Sequence, residues 1–460
     1  MTISRWLDCQ NCPPERPPLA LMSARTRDLH NAIDDRIKAT GIPSLHPTQD
    51  TILEDLFGSP QMIAWQENKG LMLFTGEDCW SDLPPIYARY GSHPTRRLLA
   101  ALRKLESARC AVVADSGMSA IGLTIDGVLE PGSHAILLGQ VYNKSRRYLE
   151  WAVERLGGRL TIVSGDQPEA LAAAICPETR LIFAETFTNP LLRACDLTHL
   201  SATALEARRT NTPMLRVVLD TTIATPWGFK SGVLDLPGID VVVASGTKAL
   251  GGQDTDLWGY LATNDIPLAN QIMDLQAMRG GVLDSRRAAV IESGLDDAGI
   301  RHARRCATAI KVAEFLQGHP RVSQVFHPGL DSHQDARVIA EHHDRTASLL
   351  SFRVVDADES QTRHFADVLA TCVIVRYALS FDGLVTKVNH HTTVSEYYTP
   401  APILKNSDVD RLIRLGVGTE GVDDLIACLN WSLWHGASLS PESLAAWRLE
   451  RTRNLGLGQA

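Results

Sequence analysis

The sequence predicts an α/β protein in which a mostly parallel sheet forms a large domain and a smaller α+β domain follows it. Between residues 110 and 244, short apolar segments alternate with helical ones, as in sheets whose parallel strands are joined by crossover helices. Several of these segments, such as 240–244, are apolar at nearly every position, which is typical of strands covered on both faces. After residue 281 the alternation stops, which indicates a second domain.

Length and composition place the chain among ordinary globular proteins. Its 460 residues are 44% hydrophobic and 21% charged, which excludes a disordered or coiled-coil chain. The formal net charge of −8 supplies no general attraction for nucleic acid. No apolar run approaches the roughly 20 residues that span a bilayer, and the first residues lack the apolar segment of a secretion signal. We therefore expect a cytoplasmic protein with neither a nucleic-acid nor a membrane partner.

The large domain is expected at residues 81–315, after an N-terminal arm at 1–80. The arm contains too few apolar repeats to close a core, so we expect it to be irregular, with one short helix near 28–39. Pro94 marks a helix start, since proline is favoured in the first helical turn. The apolar stripe of that helix consists of Leu98, Leu99, Leu102 and Leu105. Six strands are predicted after it, at 110–114, 134–138, 159–163, 180–184, 215–220 and 240–244.

The second domain is expected at residues 316–460, an ordinary domain size. It follows a long helix that ends at 318–320. Strand-like segments lie at 349–355 and 373–379. The apolar face of the long helix carries Cys306, Ala309, Ile310, Ala313 and Leu316, and that of a final helix carries Leu425, Ile426, Leu429 and Leu433.

The candidate chemistry concentrates at residues 245–249, Ser-Gly-Thr-Lys-Ala, directly after an apolar strand. Lys248 would then lie at the carboxyl edge of a parallel sheet, where open α/β folds bind ligands. Asp220 ends another strand, so its carboxylate emerges at the same edge. This pair suits pyridoxal phosphate, because the amine forms a Schiff base with the cofactor and the acid keeps the pyridine nitrogen protonated. A salt bridge at the sheet edge would fit the same two residues.

A third feature favours the cofactor site. The turn at 115–119, Asp-Ser-Gly-Met-Ser, follows the first strand and opens a helix, whose free N–H groups can hold an anion. Gly117 lets the backbone approach a phosphate closely. Alone, this turn would also fit an ordinary loop between a strand and a helix. Together with Lys248 and Asp220 it places phosphate, amine and acid around one cofactor.

Eight segments occur in a specific order along the chain: YARYGSHPTRR, SGMSAI, VYNKSRRY, AETFTNPLLR, VVLDTTIATP, SGTKALGG, LSFDG and LIRLGVGTEGVDDLI. With them, the stretch from Arg89 to Ile426 resembles the Cys/Met-metabolism family of fold-type-I pyridoxal phosphate enzymes, the group of cystathionine γ-synthase, cystathionine γ-lyase and methionine γ-lyase. The resemblance implies a fold-type-I PLP-dependent transferase fold and pyridoxal 5'-phosphate as the cofactor. It also implies a homo-oligomer, expected to be a tetramer built as a dimer of active dimers.

The resemblance implies a role for each matching residue. Lys248 would hold the cofactor and carry protons, Asp220 would pair with the pyridine nitrogen, and Tyr142 would stack on the ring and assist proton transfer. Further cofactor contacts would come from Gly117, Met118, Thr222, Ser245 and Thr247, joined by Tyr87 and Arg89 of a neighbouring subunit. The substrate would be held by Asn189, Ser380 and Arg414, the last gripping the α-carboxylate through two hydrogen bonds. Taken singly, Tyr142 would also fit a core aromatic residue and Arg414 a surface ion pair.

The chain departs from the family where the substrate side chain would lie. Leu379 stands where cystathionine-handling members carry a glutamate, so a distal ammonium group would be buried unpaired at a cost of several kcal/mol. Asn143 and Lys144 replace small residues, and Lys144 would either repel a second ammonium group or point to solvent. We therefore expect Lys144 to contact a substrate whose γ-group is compact, neutral or a departing anion. The stretch at 389–402 matches no pattern of the family.

The activity implied by the resemblance is γ-elimination or γ-replacement on an L-amino acid with a leaving group at Cγ. It would proceed through a vinylglycine-type intermediate, and the altered pocket suits a specialised substrate, for example a halogenated or unsaturated one. The alternatives are a β-lyase acting on a sulfur amino acid and a catalytically silent scaffold. Retention of Lys248, Asp220, Tyr142 and Arg414 argues against the scaffold.

Metal sites are not expected. The pairs at 342–343 and 390–391, both His-His, lack helical i, i+4 spacing with a third ligand. Cys9 and Cys12 have C-x-x-C spacing, but no second such pair follows them. The nine cysteines are spread along the chain, mostly in apolar contexts, which indicates core residues in a reducing compartment.

Overall fold

The computed structural model describes residues 20, 24–41, 53–165, 168–344, 347–372, 374–395 and 409–455. Cys9 and Cys12 lie outside these residues, as does the part of the 389–402 stretch that follows Ser395. Within the described residues, no helix combines the length and the apolar character needed to cross a membrane.

The larger sheet has seven strands in the order β1-β7-β6-β5-β4-β2-β3. Four neighbouring pairs are parallel, and β7 runs antiparallel to both β1 and β6. The mostly parallel sheet is thus confirmed, and the six predicted strands are found within one residue of their expected bounds. The sequence analysis missed β7. The strands are β1 (Cys110–Ala114), β2 (His134–Leu138), β3 (Arg159–Val163), β4 (Thr179–Glu185), β5 (Arg216–Asp220), β6 (Val241–Ala244) and β7 (Gly259–Thr263).

Helices cover this sheet, and as a result its strands other than the edge strand β3 are buried along most of their length, as β6 is at every position. Helix α3 begins one residue before Pro94, where Ser92 and Thr95 form a reciprocal capping box. The helices of this part of the chain are α3 (His93–Glu106), α4 (Gly117–Val128), α5 (Asn143–Arg155), α6 (Pro168–Ala174), α7 (Leu197–Thr210), α8 (Ile266–Arg279) and α9 (Ser285–Gly318).

The N-terminal arm is more regular than expected. Its helix α1 (Ala24–Thr40) covers the predicted helical stretch, but a second helix, α2 (Ser59–Thr75), was missed. Of the residues of α2, Trp65 is buried, and its ring packs against those of Trp80 and Tyr90. The arm therefore joins the core of the following domain through Trp65, with Leu56, Met62 and Met72 packed against the same cluster.

The second sheet has five strands in the order β10-β11-β12-β9-β8. Neighbouring strands in this sheet are antiparallel, except for β10 and β11, which are parallel. The segments at 349–355 and 373–379 do contain strands, whereas β8, β11 and β12 were not predicted. These strands are β8 (Val322–Phe326), β9 (Leu349–Val354), β10 (Val375–Tyr377), β11 (Thr386–His390) and β12 (Ile413–Gly416), and the accompanying helices are α10 (Ala336–His342), α11 (Glu359–Leu369), α12 (His391–Ser395), α13 (Val422–His435) and α14 (Pro441–Asn454).

Helix α9 links the two sheets and runs past the expected domain boundary at 315/316, so the division of the chain stays a prediction.

The direction of β7 decides where the site lies. Because β7 is antiparallel to both β1 and β6, those two strands point the same way. The carboxyl ends of β1, β2, β4, β5 and β6 therefore share one edge of the sheet, and the loops that leave them meet there.

Candidate active site

Lys248 lies at this edge, four residues after β6 ends. Its Nζ donates a hydrogen bond to Ser380 Oγ, which comes from the loop before β11, and lies 4.9 Å from the centre of the Phe381 ring. Burial lowers the pKa of the Lys248 amine to about 8, with Asp382 acting in the opposite direction. Within the described residues no ion pair joins Lys248 to Asp220, so the structure does not show the alternative salt bridge at the sheet edge.

Asp220 ends β5 and lies beside Glu185, which ends β4, because these two residues are partners in the parallel register. Burial raises the pKa of Asp220 to about 6, although hydrogen bonding to Thr222 lowers it. Burial and the neighbouring Asp220 raise the pKa of Glu185 well above its usual range. Neither carboxylate has a cation within ion-pair distance in the described part of the chain. Such a buried acid pair is a place for a positively charged group of a ligand.

Tyr142 is held at the mouth of the site by the same acid pair. It precedes α5, and its backbone N–H donates to Glu185 Oε1 at 2.6 Å. Its side chain is 42% exposed, so the alternative of an ordinary core aromatic residue is wrong. An exposed ring on a residue whose backbone is anchored to the acid pair can stack on a planar ligand.

The turn between β1 and α4 forms a backbone cradle. Gly117 and Met118 occupy the first two positions of α4, and the next N–H, that of Ser119, is capped by Ser116 Oγ at 3.1 Å. A Cβ added at Gly117 would lie 2.7 Å from Cβ of Ser245, so only glycine permits this approach. Ser245 is fixed in turn, since its N–H donates to Thr222 Oγ1 at 2.9 Å. In the described part of the chain no protein acceptor is recorded for the N–H groups of Gly117 and Met118, which leaves them for an anion.

Thr247 is engaged differently from the other predicted cradle residues. Its Oγ1 donates to the Trp258 carbonyl at 3.1 Å and accepts from the Trp258 N–H at 2.9 Å. Because its one hydroxyl proton is already donated, the side chain of Thr247 joins the Lys248 loop to β7 in this structure. The hydroxyl of Thr222 is engaged with Asp220 and with the Ser245 N–H, whereas the hydroxyl proton of Ser245 can reach a phosphate.

Arg414 lies on β12 and reaches across to the edge of the larger sheet. Its Nη1 donates to Asn189 Oδ1 at 3.3 Å and its Nη2 to the Leu379 carbonyl at 3.0 Å. The side chain is 2% exposed, and burial lowers its pKa to about 10. Its Nε has no hydrogen-bond partner and no carboxylate lies within ion-pair distance, both within the described residues. The alternative of a surface ion pair is therefore wrong, and the guanidinium is free to take an anionic ligand.

Ser380 and Phe381 connect the lysine to the arginine. Ser380 accepts from Lys248, and the Phe381 ring lies 4.9 Å from Lys248 Nζ and 5.5 Å from Arg414 Cζ. The adjacent Asp382 is buried and accepts a hydrogen bond from Ser348. The loop therefore places one aromatic ring against two cationic groups, Lys248 and Arg414.

The residues expected around a substrate side chain lie at the opening. Lys144, in the first turn of α5, is half-buried, and Leu379 is 70% exposed. Asn143 donates to the carbonyl of Ser395, so the start of the 389–402 stretch packs against α5 beside Tyr142. The structure thus brings the unmatched stretch to the side of the pocket where the chain departs from its relatives.

Tyr87 and Arg89 are not brought to the cradle within one chain. The guanidinium of Arg89 lies 5.1 Å from the ring of Tyr87 and 5.5 Å from that of Tyr90. No contact of Arg89 with Gly117, Ser245 or Lys248 occurs among the described residues. Their assignment to the site of a neighbouring subunit stays a prediction.

Three features of the site were not predicted from the sequence: the acid Glu185, the ring of Phe381, and the hydrogen bonds from Arg305 to the turn that follows Lys248. Glu185 could have been found, because it ends an apolar strand as Asp220 does. The histidine pairs are used structurally: His390 bonds to Thr393 and to the Asp410 carbonyl, and His343 packs between two phenylalanine rings. Among the described residues, no group of three potential metal ligands occurs.

Comparison with known proteins agrees with this geometry. A family model described as Cys/Met metabolism PLP-dependent enzyme matches residues 82–434. An L-methionine gamma-lyase of Fusobacterium nucleatum is 32% identical over 351 residues, which cover 76% of this chain and 86% of the relative. A cystathionine gamma-synthase of Mycobacterium tuberculosis is also 32% identical, over 75% of this chain and 86% of its own length.

Solved structures give the same picture. Cystathionine gamma-synthase from Xanthomonas oryzae in complex with cystathionine matches with a TM-score of 0.70 at 28% identity, covering 77% of this chain and 88% of that one. Cystathionine gamma-lyase from Lactobacillus plantarum, complexed with L-serine, matches with a TM-score of 0.70 at 26% identity, covering 77% and 89%.

Proposed function

The chain belongs to the Cys/Met metabolism family of PLP-dependent enzymes, and from that premise we propose that it catalyses γ-elimination or γ-replacement on an L-amino acid with a leaving group at Cγ. One observation carries the proposal. Within the described residues, the buried acid pair Glu185 and Asp220 has no cation, and the buried guanidinium of Arg414, which shares the Phe381 ring with Lys248, has no anion. Pyridoxal phosphate and an amino-acid substrate would supply both missing partners.

The residues at the sheet edge fit pyridoxal 5'-phosphate. The N–H groups of Gly117 and Met118 and the hydroxyl of Ser245 would hold its phosphate, and Thr222 would support the cofactor through Asp220 and Ser245. Asp220 would pair with the pyridine nitrogen, and the charge of that nitrogen would in turn stabilise the ionised carboxylate. When bound, the cofactor withdraws electrons from the bonds at Cα of the substrate.

Lys248 is the base that the geometry supports. Its lowered pKa leaves a substantial fraction of neutral amine near neutral pH, and Ser380 Oγ fixes the position of Nζ. The amine can take the proton from Cα, pass it on, and then take the proton from Cβ, whose loss forms the Cβ–Cγ double bond as the γ-group departs with its bonding electrons. Tyr142, anchored through Glu185, covers the site and assists proton transfer.

Substrate orientation falls to Arg414 and Asn189. The Nε and Nη groups of Arg414 would grip the α-carboxylate, and the amide of Asn189 would add a donor, which holds Cα near Lys248. These contacts select an α-amino acid but do not distinguish one side chain from another.

Side-chain selection depends on Lys144 and Leu379. Lys144 lies next to Tyr142, and Leu379 presents an apolar surface at the opening. A second ammonium group would meet the like charge of Lys144 and the apolar side chain of Leu379, whereas a departing anion would be stabilised by Lys144. The preferred substrates are therefore compact, with a neutral or anionic leaving group at Cγ.

The test is a comparison of kcat/KM for cystathionine, O-acetylhomoserine, methionine and a γ-halogenated analogue, with products identified by mass spectrometry. The last three should be preferred, and Lys144→Ala should lower kcat most for the poorest leaving group. Arg147→Ala, an exposed neighbour on α5, is the matched control. A clear preference for cystathionine contradicts the side-chain selection, and turnover of β-substituted substrates alone would indicate a β-lyase.

The active form is a homo-oligomer, a tetramer built as a dimer of active dimers, in which Tyr87 and Arg89 of one chain reach the phosphate of its neighbour. The support is that Arg89 contacts its own aromatic neighbours and not the cradle of its own chain. The compartment is the cytoplasm, which agrees with seven free cysteines in the described part of the chain.

A further inference from the structure

Two arginines of α9 contact the turn that carries Lys248. Arg305 Nη2 donates to the Ala249 carbonyl at 3.0 Å and its Nη1 to the Gly252 carbonyl at 3.3 Å. Arg301, one helical turn earlier, donates to the Gly251 carbonyl at 3.1 Å. We call these two side chains the arginine clamp. Its three acceptors follow Lys248 directly in the sequence.

Arg305 is an unusual residue for this position. Its side chain is 0% exposed, and no carboxylate lies within ion-pair distance in the described residues. Burying an arginine without an anion is costly, so the fold gains nothing here that an apolar side chain would not supply more cheaply. A fully buried cation bound only to carbonyl groups of the lysine turn therefore points to a role in holding that turn.

The turn is shaped around the guanidinium. Gly252 has φ +61°, and a Cβ at that position would lie 2.7 Å from Arg305 Nη1. Its N–H closes the turn by donating to the Lys248 carbonyl at 2.7 Å. Only glycine accommodates both the left-handed backbone and the arginine. The carbonyls that end this turn are buried, and without the clamp they would lack donors.

We propose that Arg305, assisted by Arg301, is a positioning residue that holds Lys248 Nζ against Ser380. The inference rests on the proposed function only in taking Lys248 as the cofactor lysine. Because the clamp acts through the backbone of the turn, its loss should let Lys248 leave the desolvated place beside Phe381. The charged groups that act on the amine, Asp382, Arg414, Lys387 and Asp254, are untouched by substitutions on α9.

The experiment compares Arg305→Met and Arg305→Lys with Arg304→Met, an exposed neighbour on the same helix. Hydrogen exchange of the Gly251 and Gly252 amides in the cofactor-free protein should speed up at least 10-fold in Arg305→Met and less in Arg305→Lys. The pH midpoint for cofactor attachment, followed by absorbance, should move upward, because an amine that leaves its buried place holds its proton more tightly. The kcat should fall about 10- to 100-fold with little change in KM, and added guanidinium ion should restore part of it.

Unchanged exchange and an unchanged midpoint in folded Arg305→Met would overturn the inference, as would equal effects in Arg304→Met. If Arg305→Met does not fold, Arg305→Lys and Arg301→Met are measured in the same way and judged by the same two readouts. Wild-type protein that never takes up pyridoxal phosphate would instead contradict the proposed function, and the exchange measurement on the cofactor-free protein would still decide the role of the clamp.

Discussion

The buried amine of Lys248 affects both the free energy of unfolding and the reaction, because its pKa is lowered. Its pKa is lowered from 10.5 to about 8 by burial, so the folded protein binds this proton less tightly than the unfolded chain does. Below pH 8 both states are protonated and the full cost of the buried charge is present. That cost disappears as the pH rises from 8 to 10.5.

Lys248→Met should therefore stabilise the cofactor-free protein at pH 7 by up to about 3 kcal/mol, while abolishing turnover. Chemical denaturation of both proteins between pH 7 and pH 10 checks this, and the difference in unfolding free energy should shrink as the pH rises. A difference that stays constant across this range would mean that the Lys248 amine keeps its ordinary pKa.

Arg414 should show opposite effects on stability and on binding. Arg414→Met removes a buried cation that has no anion, so the cofactor-free protein should become about 1–3 kcal/mol more stable. The same change removes the grip on the α-carboxylate, and KM should rise about 10- to 100-fold. Steady-state kinetics with an amino acid and with its α-carboxamide separate the effects, since the carboxamide should be insensitive. Arg411→Met, exposed and three residues away, is the control and should change neither quantity.

Among the elements, the start of α4 has the tightest packing requirement in the site. In Gly117→Ala the new Cβ would lie 2.7 Å from Cβ and 2.9 Å from Cα of Ser245, which should cost about 1–3 kcal/mol and displace the cradle. Affinity for pyridoxal phosphate should fall at least about 10-fold, but affinity for pyridoxal, which lacks the phosphate, should hardly change.

Binding titrations with the two compounds measure this ratio. Gly70→Ala, in the exposed interior of α2 with no atom near the added Cβ, is the matched control and should stabilise the protein by about 0.5–1 kcal/mol. Equal losses for pyridoxal and pyridoxal phosphate in Gly117→Ala would show that α4 does not hold the phosphate.

Elements could be predicted where burial leaves a continuous pattern in the sequence. Strands β1, β2, β4, β5 and β6 are buried along most of their length, so their apolar runs were visible. Strand β7 begins at a glycine, and its direction depends on a pairing with β1 that no local pattern records. Helix α2 was missed because Ile63, Leu71 and Leu73 are exposed, which removes the core-facing period.

The site divides in the same way. Asp220 ends a strand, and Gly117 and Lys248 lie three and four residues after strands end, so the topology of the sheet alone brings all three to one edge. Glu185 belongs to the site because the strand register places it beside Asp220. Arg305 belongs to it because α9 packs on the turn that follows Lys248. Such relations between distant segments are tertiary, and the sequence predicts the residues without predicting their neighbours.

At the scale of the whole molecule, the position of Arg89 predicts complementation between subunits. Arg89→Ala and Lys248→Ala proteins should each be nearly inactive, but a mixed oligomer should contain sites with an intact lysine from one chain and an intact Arg89 from the other. Activity should return to at most about half of the wild-type value per mixed dimer. The measurement is kcat after joint refolding, with mixing verified by native mass spectrometry. No recovery in verified mixed oligomers would show that each site is built from one chain.

Strand β7 also has a consequence for the order of events during synthesis. In the larger sheet β1 lies at an edge and pairs with β7 alone, with Cys110 opposite Thr263. During synthesis, β1 can therefore pair only after the chain beyond Thr263 has left the ribosome. The cradle at the start of α4, which follows β1, becomes fixed at the same time. Until then β1 is unpaired, and the pairing is slow because it closes the long loop between β1 and β7. A nascent chain cut before β7 would carry Lys248 and yet be unable to capture the cofactor.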